Sequence, residues 1–358
     1  GKLYKMAEPK VLVRVTGRPA LHAHVWEIER LRCNLCSEIF TADKPKEVEG
    51  DDKYDASAVS MIGLLRYGSG VPFHRLEGLQ ADLGIPLPAS TQWDLVAAGA
   101  KSLEPAFQEL VQQAAQGEVV YHDDTSMEVL ALRAWLRDRP ADEDDGRTGI
   151  FTSGVVASMD GRRIALFFTG KQHAGENLAQ LLQHRTPDSP PPIQMCDGAT
   201  RNLPKNFVVM LSNCLAHGRR QFVNVIDDFP AECRHVLEAL REVYRCDAEA
   251  KSRAMTPAQR LLHHQTHSGP VMADLQSWLQ AQIADKKTEP NSGLGKAINY
   301  LLKRWDALTL FLRVPGAPLD NNLCERALKQ AIVHRKNSLF YKTENGARVG
   351  DVFMSPIY

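Results

Sequence analysis

Between residues 118 and 198 the chain sets strand-length apolar runs against carboxylates, and this ordering restricts its fold more than any other feature. Val119-Val-Tyr-His-Asp-Asp-Thr-Ser-Met-Glu-Val-Leu130 is apolar but broken by two adjacent acids, Asp123 and Asp124, and reads as a strand over 118–132. After an acidic turn at 141–146 come a strand over 149–158, an Asp160-Gly161 hairpin turn and a strand over 163–169. A helix over about 174–184 leads through proline-rich 187–192 into a strand that stops at Asp197-Gly198. A further strand, 207–211, and a helix, 216–227, follow.

Three antiparallel strands, a helix and then a parallel strand is the ribonuclease H-like order, which sets Asp123 and Asp197 side by side at one end of the sheet. A third acid lies far downstream in Leu319-Asp-Asn-Asn-Leu-Cys-Glu-Arg-Ala-Leu-Lys329. Here Asp320-Asn-Asn caps a helix with apolar stripe Leu323, Ala327, Leu328, Ala331 and Ile332, and Glu325 falls on the opposite face. Singly, each acid has an ordinary explanation: an edge-strand charge, a turn residue, a surface pair of Glu325 with Lys329. In this order they form what a two-metal phosphoryl-transfer site needs, since two divalent ions about 4 Å apart must share oxygen ligands. Residues 228–312 read as a helical insertion between the second and third acids. Its His263, His264 and His267 have no carboxylate or cysteine beside them in sequence and are expected to face solvent.

Upstream, residues 1–45 suggest a small β module, with alternation at 10–16 and 24–29. It carries Cys33-Asn-Leu-Cys36, half of a zinc ribbon; tetrahedral Zn2+ needs four ligands, and only His22 and His24 are near in sequence. A charged linker over 43–55 leads to a helical segment at 56–115. Two short helices around Gly84-Ile-Pro-Leu-Pro88, the second N-capped by Ser90, fit a helix-turn-helix that presents Thr91, Gln92 and Asp94 to DNA. The expected architecture is thus α/β: a partial zinc ribbon (1–45), a helix-turn-helix-like domain (56–115) and a ribonuclease H-like catalytic domain (118–358) with its insertion.

Bulk charge does not favour a polyanion: 43 basic and 43 acidic residues cancel, so a local basic surface must do that work. The run from Arg326 to Lys342, with Lys329, Arg335 and Lys336, is the candidate. No apolar run approaches the roughly 20 residues of a membrane span, and the first residues lack a signal-peptide core. Seven scattered cysteines suit a reducing compartment, so a cytoplasmic protein without a membrane partner is expected.

Several motifs resemble those of the insertion-sequence-66 family of transposases, in the Asp-Asp-Glu group. They are Asp123-Asp124-Thr125, Cys196-Asp197-Gly198, Cys214-Leu-Ala-His217-Gly-Arg219-Arg220, Asp320-Asn321-Asn322-Leu-Cys-Glu325-Arg326 and Arg335-Lys336-Asn337. The chain departs from the family pattern at Asp124 (usually Glu), Ala199 (commonly aromatic) and Leu215 (usually Trp). The resemblance implies strand cleavage at transposon ends followed by joining to target DNA. It implies two Mg2+ (or Mn2+) ions on Asp123, Asp197 and Glu325, with His217, Arg219, Arg220, Arg326, Arg335 and Lys336 near DNA phosphates. The partner would be double-stranded DNA, bound by a homo-oligomer in a bacterial, nucleoid-associated setting. Family members also carry a second cysteine pair and a helical tail, expected here beyond Gly1 and Tyr358 respectively. Two alternatives stand beside this: a catalytically silent transposon-derived DNA-binding protein, and another ribonuclease H-like nuclease.

Overall fold

The computed structural model describes residues 1–358 apart from 5–7, 9, 15–18, 49, 51, 139–146, 148 and 205. The acidic turn expected at 141–146 therefore lies outside the described residues, as does part of the first expected strand.

The amino-terminal β module is smaller than its alternation suggests. Residues 10–14 and 24–29 form no strand, and the hairpin is β1 (Arg30–Arg32) with β2 (Ile39–Thr41). Alternation alone cannot hold a strand without a partner face, and Val11, Leu12 and Val13 are exposed. Between the two strands Cys33 and Cys36 form a knuckle, closed by Cys33 N–H donating to Glu38 O (2.8 Å) and Ser37 N–H to Cys33 O (3.0 Å).

The helical segment contains α1 (Ala56–Gly63), a π-helical turn (Leu64–Gly68), α2 (Phe73–Asp82) and α3 (Ala89–Ala115). Asp55 caps α1 by accepting from Ala58 N–H at 2.9 Å. The expected short second helix is instead 27 residues long, and its N-cap is Pro88, so Ser90 lies inside the first turn. A buried stripe on α3 (Val96, Ala100, Phe107, Val111, Ala114) belongs to the same hydrophobic cluster as strand residues Val155, Val156 and Phe167. The long helix is thus held by the sheet it lies on.

That sheet has five strands: β3 (Val119–Ser126), β4 (Phe151–Met159), β5 (Arg162–Gly170), β6 (Ile193–Cys196) and β7 (Met210–Asn213), in the order β5-β4-β3-β6-β7. The first three are antiparallel; β6 and β7 are parallel to β3. Asp160 (φ 50°) and Gly161 (φ 75°) make the tight turn between β4 and β5. β3 ends at Ser126 and not at 132, because Leu130-Ala-Leu-Arg-Ala-Trp-Leu-Arg is made of good helix formers and winds into α4 (Leu130–Asp138). β7 starts three residues later than expected.

Helices cover both faces. α5 (Ala174–Leu182) packs with α3 on one side, where Phe107 meets Phe168 edge-on at 6.3 Å. α11 (Asn322–Ser338) lies across β3 and β4 on the other. α12 (Glu344–Ile357) runs along the outer edge of β5, whose backbone donors are satisfied by side chains: Thr169 N–H by Asp351 Oδ2 (2.7 Å) and Phe167 N–H by Ser355 Oγ (3.2 Å). An edge covered this way offers no template for strand pairing.

The expected insertion is helical throughout: α6 (Leu215–Val223) leads into α7 (Pro230–Ser252), α8 (Pro257–Ala284), α9 (Gly293–Lys303) and α10 (Trp305–Leu308). Val236, Leu240, Met272, Leu279, Ile298 and Leu301 build a second core there. The solvent-facing expectation holds in it for His267 and fails for the other two histidines: the His263 side chain is 10% exposed, 3.9 Å from Glu249. His264 is buried, hydrogen-bonded to Ser268 Oγ (2.9 Å) and Asp247 Oδ1 (3.4 Å), because Asp247 is buried among Arg260, Lys251 and this imidazole. Against the opposing effect of burial, the hydrogen bond with His264 and then the charges of Arg260 and Lys251 hold Asp247 well below the usual carboxylate range.

Candidate active site

The parallel pairing of β3 with β6 runs from Val119–Ile193 to Tyr121–Met195. Carried on by two residues, this register sets Asp123 opposite Asp197 at the same sheet end. Asp197 is fixed from both sides: its Oδ1 accepts from Ala199 N–H (3.0 Å) and Asn202 Nδ2 (2.6 Å), and its backbone carbonyl accepts from Tyr300 Oη (2.9 Å). The glycine after it is required. Gly198 has φ 82°, and a Cβ there would lie 2.9 Å from Arg304 Nε and 3.0 Å from Asn213 Oδ1.

Glu325 arrives on the first turn of α11, and three contacts fix that turn, two to the sheet and one to the start of α6. Asn321 Nδ2 donates to His122 O (3.0 Å), Asn321 N–H donates to Cys214 Sγ (3.3 Å), and Cys324 Sγ donates to Gly154 O (3.2 Å). Gly154 is the β4 partner of Asp123, and any side chain there would strike Leu328. The close approach of α11 over this glycine sets Glu325 on the Asp123 side of the sheet, but oxygens of Asp123, Asp197 and Glu325 do not all lie within 4.8 Å of one another.

The charges of the neighbouring acids are felt at Asp123. Burial, and then the charges of Asp197, Asp124 and Glu325, push the Asp123 carboxyl up to about 7, against one opposing hydrogen bond from Asp124 N–H. Among the described residues no lysine or arginine forms an ion pair with Asp123, Asp197 or Glu325. Among the described residues the basic group within ion-pair reach of Glu325 is His217, on the first turn of α6, with Nδ1 at 3.9 Å from Glu325 Oε1. Donor atoms of Cys214, His217 and Glu325 all lie within 4.8 Å of one another.

The other sequence candidates divide. Arg219, Arg220, Arg326 and Lys336 are exposed cations on α6 and α11, free to meet a phosphate backbone. Arg335 is not: its guanidinium donates to Thr125 Oγ1 (3.2 Å), Ser126 Oγ (2.5 Å) and Ser126 O, so it fastens α11 to the end of β3. Gln92 is fully buried, its amide donating to Leu87 O (2.9 Å) and Phe73 O (3.1 Å); it closes the α2–α3 corner and presents nothing outward. At the amino-terminal knuckle, backbone N–H groups of Cys36 and Leu35 lower the Cys33 thiol pKa, and Cys36 is exposed. Among the described residues no third ligand joins them.

Three contributors were not anticipated. Asp124 points to the opposite face from Asp123, as neighbours on a strand must. It accepts from Ser153 Oγ (2.6 Å), His173 Nδ1 (3.1 Å) and Ala174 N–H (3.1 Å), anchoring the start of α5. Tyr300 comes from α9 and Arg304 is its C-cap, the Arg304 guanidinium lying 4.2 Å from the Tyr300 ring centroid and reaching Gly198 O at 3.5 Å. The insertion therefore supports the loop after the second acid. Their helical i, i+4 spacing was visible in the sequence; their destination was not.

Residues 53–349 match the transposase IS66 family. Three Sinorhizobium fredii (strain NBRC 101917 / NGR234) proteins are similar to the chain. The uncharacterized protein y4hP is 26% identical over 92% of this chain and 60% of its own length. The uncharacterized protein y4qI is 25% identical over 81% of this chain and 53% of its own. The uncharacterized protein y4jD is 34% identical over 41% of this chain and 28% of its own. The chain thus spans at most three-fifths of the length of these relatives. It belongs to the IS66 family of transposases.

Proposed function

Starting from membership of the IS66 transposase family, we propose that the chain carries a ribonuclease H-like catalytic core that cuts DNA at transposon ends and joins the freed 3′-hydroxyl to target DNA. The strand order β5-β4-β3-β6-β7, three strands antiparallel and two parallel, supports that core. Asp123, Asp197 and Glu325 are its catalytic acids. The observation that carries this reading is the β3–β6 register that sets Asp123 opposite Asp197, with no lysine or arginine among the described residues paired to either acid or to Glu325. Such a site is costly to leave uncompensated, and divalent cations with oxygen preference, Mg2+ or Mn2+, fit the donor set.

When bound, two such ions would activate the attacking hydroxyl and stabilise the leaving oxygen of an in-line displacement. The protein's own part is positioning. Asp123 Oδ1 is turned by Asp124 N–H (2.8 Å), which leaves the other oxygen for a ligand. Asp197 Oδ1 is held by Ala199 and Asn202 in the same way. Glu325 sits on a helix locked to the sheet through Asn321 and Cys324, so its approach is set before DNA binds. Arg219, Arg220, Arg326 and Lys336 supply phosphate contacts without sequence preference. Among the described residues no helix is long and apolar enough to cross a membrane. The knuckle of Cys33 and Cys36 supplies two of the four ligands a tetrahedral zinc needs, and the alternative is two thiols in a small β hairpin without metal.

The test uses a DNA duplex carrying the inverted repeats that flank the gene, with Mg2+ or Mn2+. Asp123→Asn, Asp197→Asn and Glu325→Gln should each abolish nicking while the protein still shifts the duplex in a gel. Nicking that survives any of the three substitutions removes that acid from the assignment.

A further inference from the structure

Resting on the acid site just proposed, we infer that His217 is a nitrogen ligand of the divalent cation held at Glu325, which makes that half of the site a mixed imidazole–carboxylate centre.

The placement of His217 is structural, not incidental. Leu215 N–H donates to Leu319 O (2.9 Å) and Asn321 N–H to Cys214 Sγ (3.3 Å), so the starts of α6 and α11 are tied together. His217 and Glu325 stand on the first turns of those two helices and meet with Nδ1 and Oε1 at 3.9 Å. That separation is too long for a hydrogen bond. It suits two donors sharing one ion: at bond lengths of about 2.1 Å, ligands lie about 3.0 to 4.2 Å apart for angles from 90° upward. His217 Nδ1 is also buried and has no hydrogen-bond partner among the described residues. An orphaned buried nitrogen costs about 1–3 kcal/mol, and coordination removes that cost.

The third member of the cluster plays a different part. Cys214 Sγ already accepts from the Asn321 backbone at 3.3 Å. It orients the helix junction and stays outside the coordination shell. The neighbouring Arg219 and Arg220 are exposed, whereas the His217 side chain is 21% exposed and faces Glu325. An imidazole ligand also changes the metal preference. Mg2+ favours all-oxygen shells, while Mn2+ and later transition ions accept nitrogen. The Glu325 half of the site should prefer Mn2+ to Mg2+.

The experiment is Mn2+ binding to the full chain without DNA, followed by pulsed electron paramagnetic resonance. Wild-type protein should show a directly bound 14N coupling that is replaced by 15N on histidine labelling. His217→Gln should lose it and bind its weakest-held Mn2+ about tenfold less tightly, with Mg2+ affinity nearly unchanged; Asp123→Asn should lose ions with all-oxygen shells as well. Wild-type protein that binds Mn2+ in an Asp123-dependent way with no 14N coupling overturns the histidine ligand and leaves the acid site standing. Mn2+ binding indifferent to Asp123→Asn overturns both. The wild-type spectrum decides the matter even if His217→Gln fails to fold.

Discussion

Gly154 is the register partner of Asp123, and replacing it with alanine tests whether the approach of α11 builds the site. The new Cβ would stand 2.8 Å from Leu328 Cγ, 2.9 Å from Leu328 Cδ2 and 3.4 Å from Cys324 Sγ. Ordinary contact begins at about 3.5 Å, so helix or strand must give by something under 1 Å. Neither moves freely, because Cys324 Sγ bonds to Gly154 O and Asn321 to His122 O. Overpacking of this kind costs about 1–3 kcal/mol; the strand entropy gained on losing a glycine offsets about 0.5–1 kcal/mol of it. The net loss should be about 1–2 kcal/mol, read from the urea midpoint at constant slope. Leu328→Ala alone should cost about 2–5 kcal/mol by leaving a cavity. In the double variant the methyl groups no longer collide, so the two costs should fall short of their sum by about 1 kcal/mol or more. A sum additive to within about 0.5 kcal/mol would mean that the contact does not exist as described. Nicking should fall about a hundredfold in Gly154→Ala, since a misplacement near 1 Å is enough.

Two further outcomes are expected. Arg335→Ala should lower stability by about 1–2 kcal/mol through the lost bonds to Thr125 and Ser126, whereas Lys336→Ala should leave the urea midpoint alone and flatten the log–log salt dependence of DNA binding by about one unit; the reverse pattern would exchange their roles. Burial raises the Asp351 carboxyl to about 7, above its unfolded value, so its contribution is fully present in acid and is lost as pH climbs from about 4 through 7. Asp351→Asn should therefore flatten the decline in unfolding free energy between pH 5 and pH 8, and a profile unchanged from wild type would contradict the burial of a titrating group there.

The placement of Asp123 on a strand and of Asp197 just past one was legible because a charge inside an apolar strand is conspicuous, and because Asp160-Gly161 and Asp197-Gly198 mark turns by their backbone needs alone. The pairing of strands followed from the same pattern. Gln92 was not legible: an amide early in a helix reads as surface, and only the α2–α3 corner reveals the two carbonyls, Phe73 O and Leu87 O, that it must satisfy. Arg335 misleads in the same way, since a basic run on a helix carries no sign of which member folds back onto β3. Asp124 could have been separated from Asp123 in advance, because adjacent strand residues face opposite sides. Tyr300 and Arg304 could not, since their role depends on how the insertion docks beside Gly198.

The most direct test of the account is anomalous scattering at the manganese edge from crystals grown with Mn2+. The account predicts ordered manganese in contact with Asp123 and shared with Asp197 or Glu325, lost on Asp123→Asn. Manganese that orders only elsewhere on the protein, with these three carboxylates left unliganded, would contradict it.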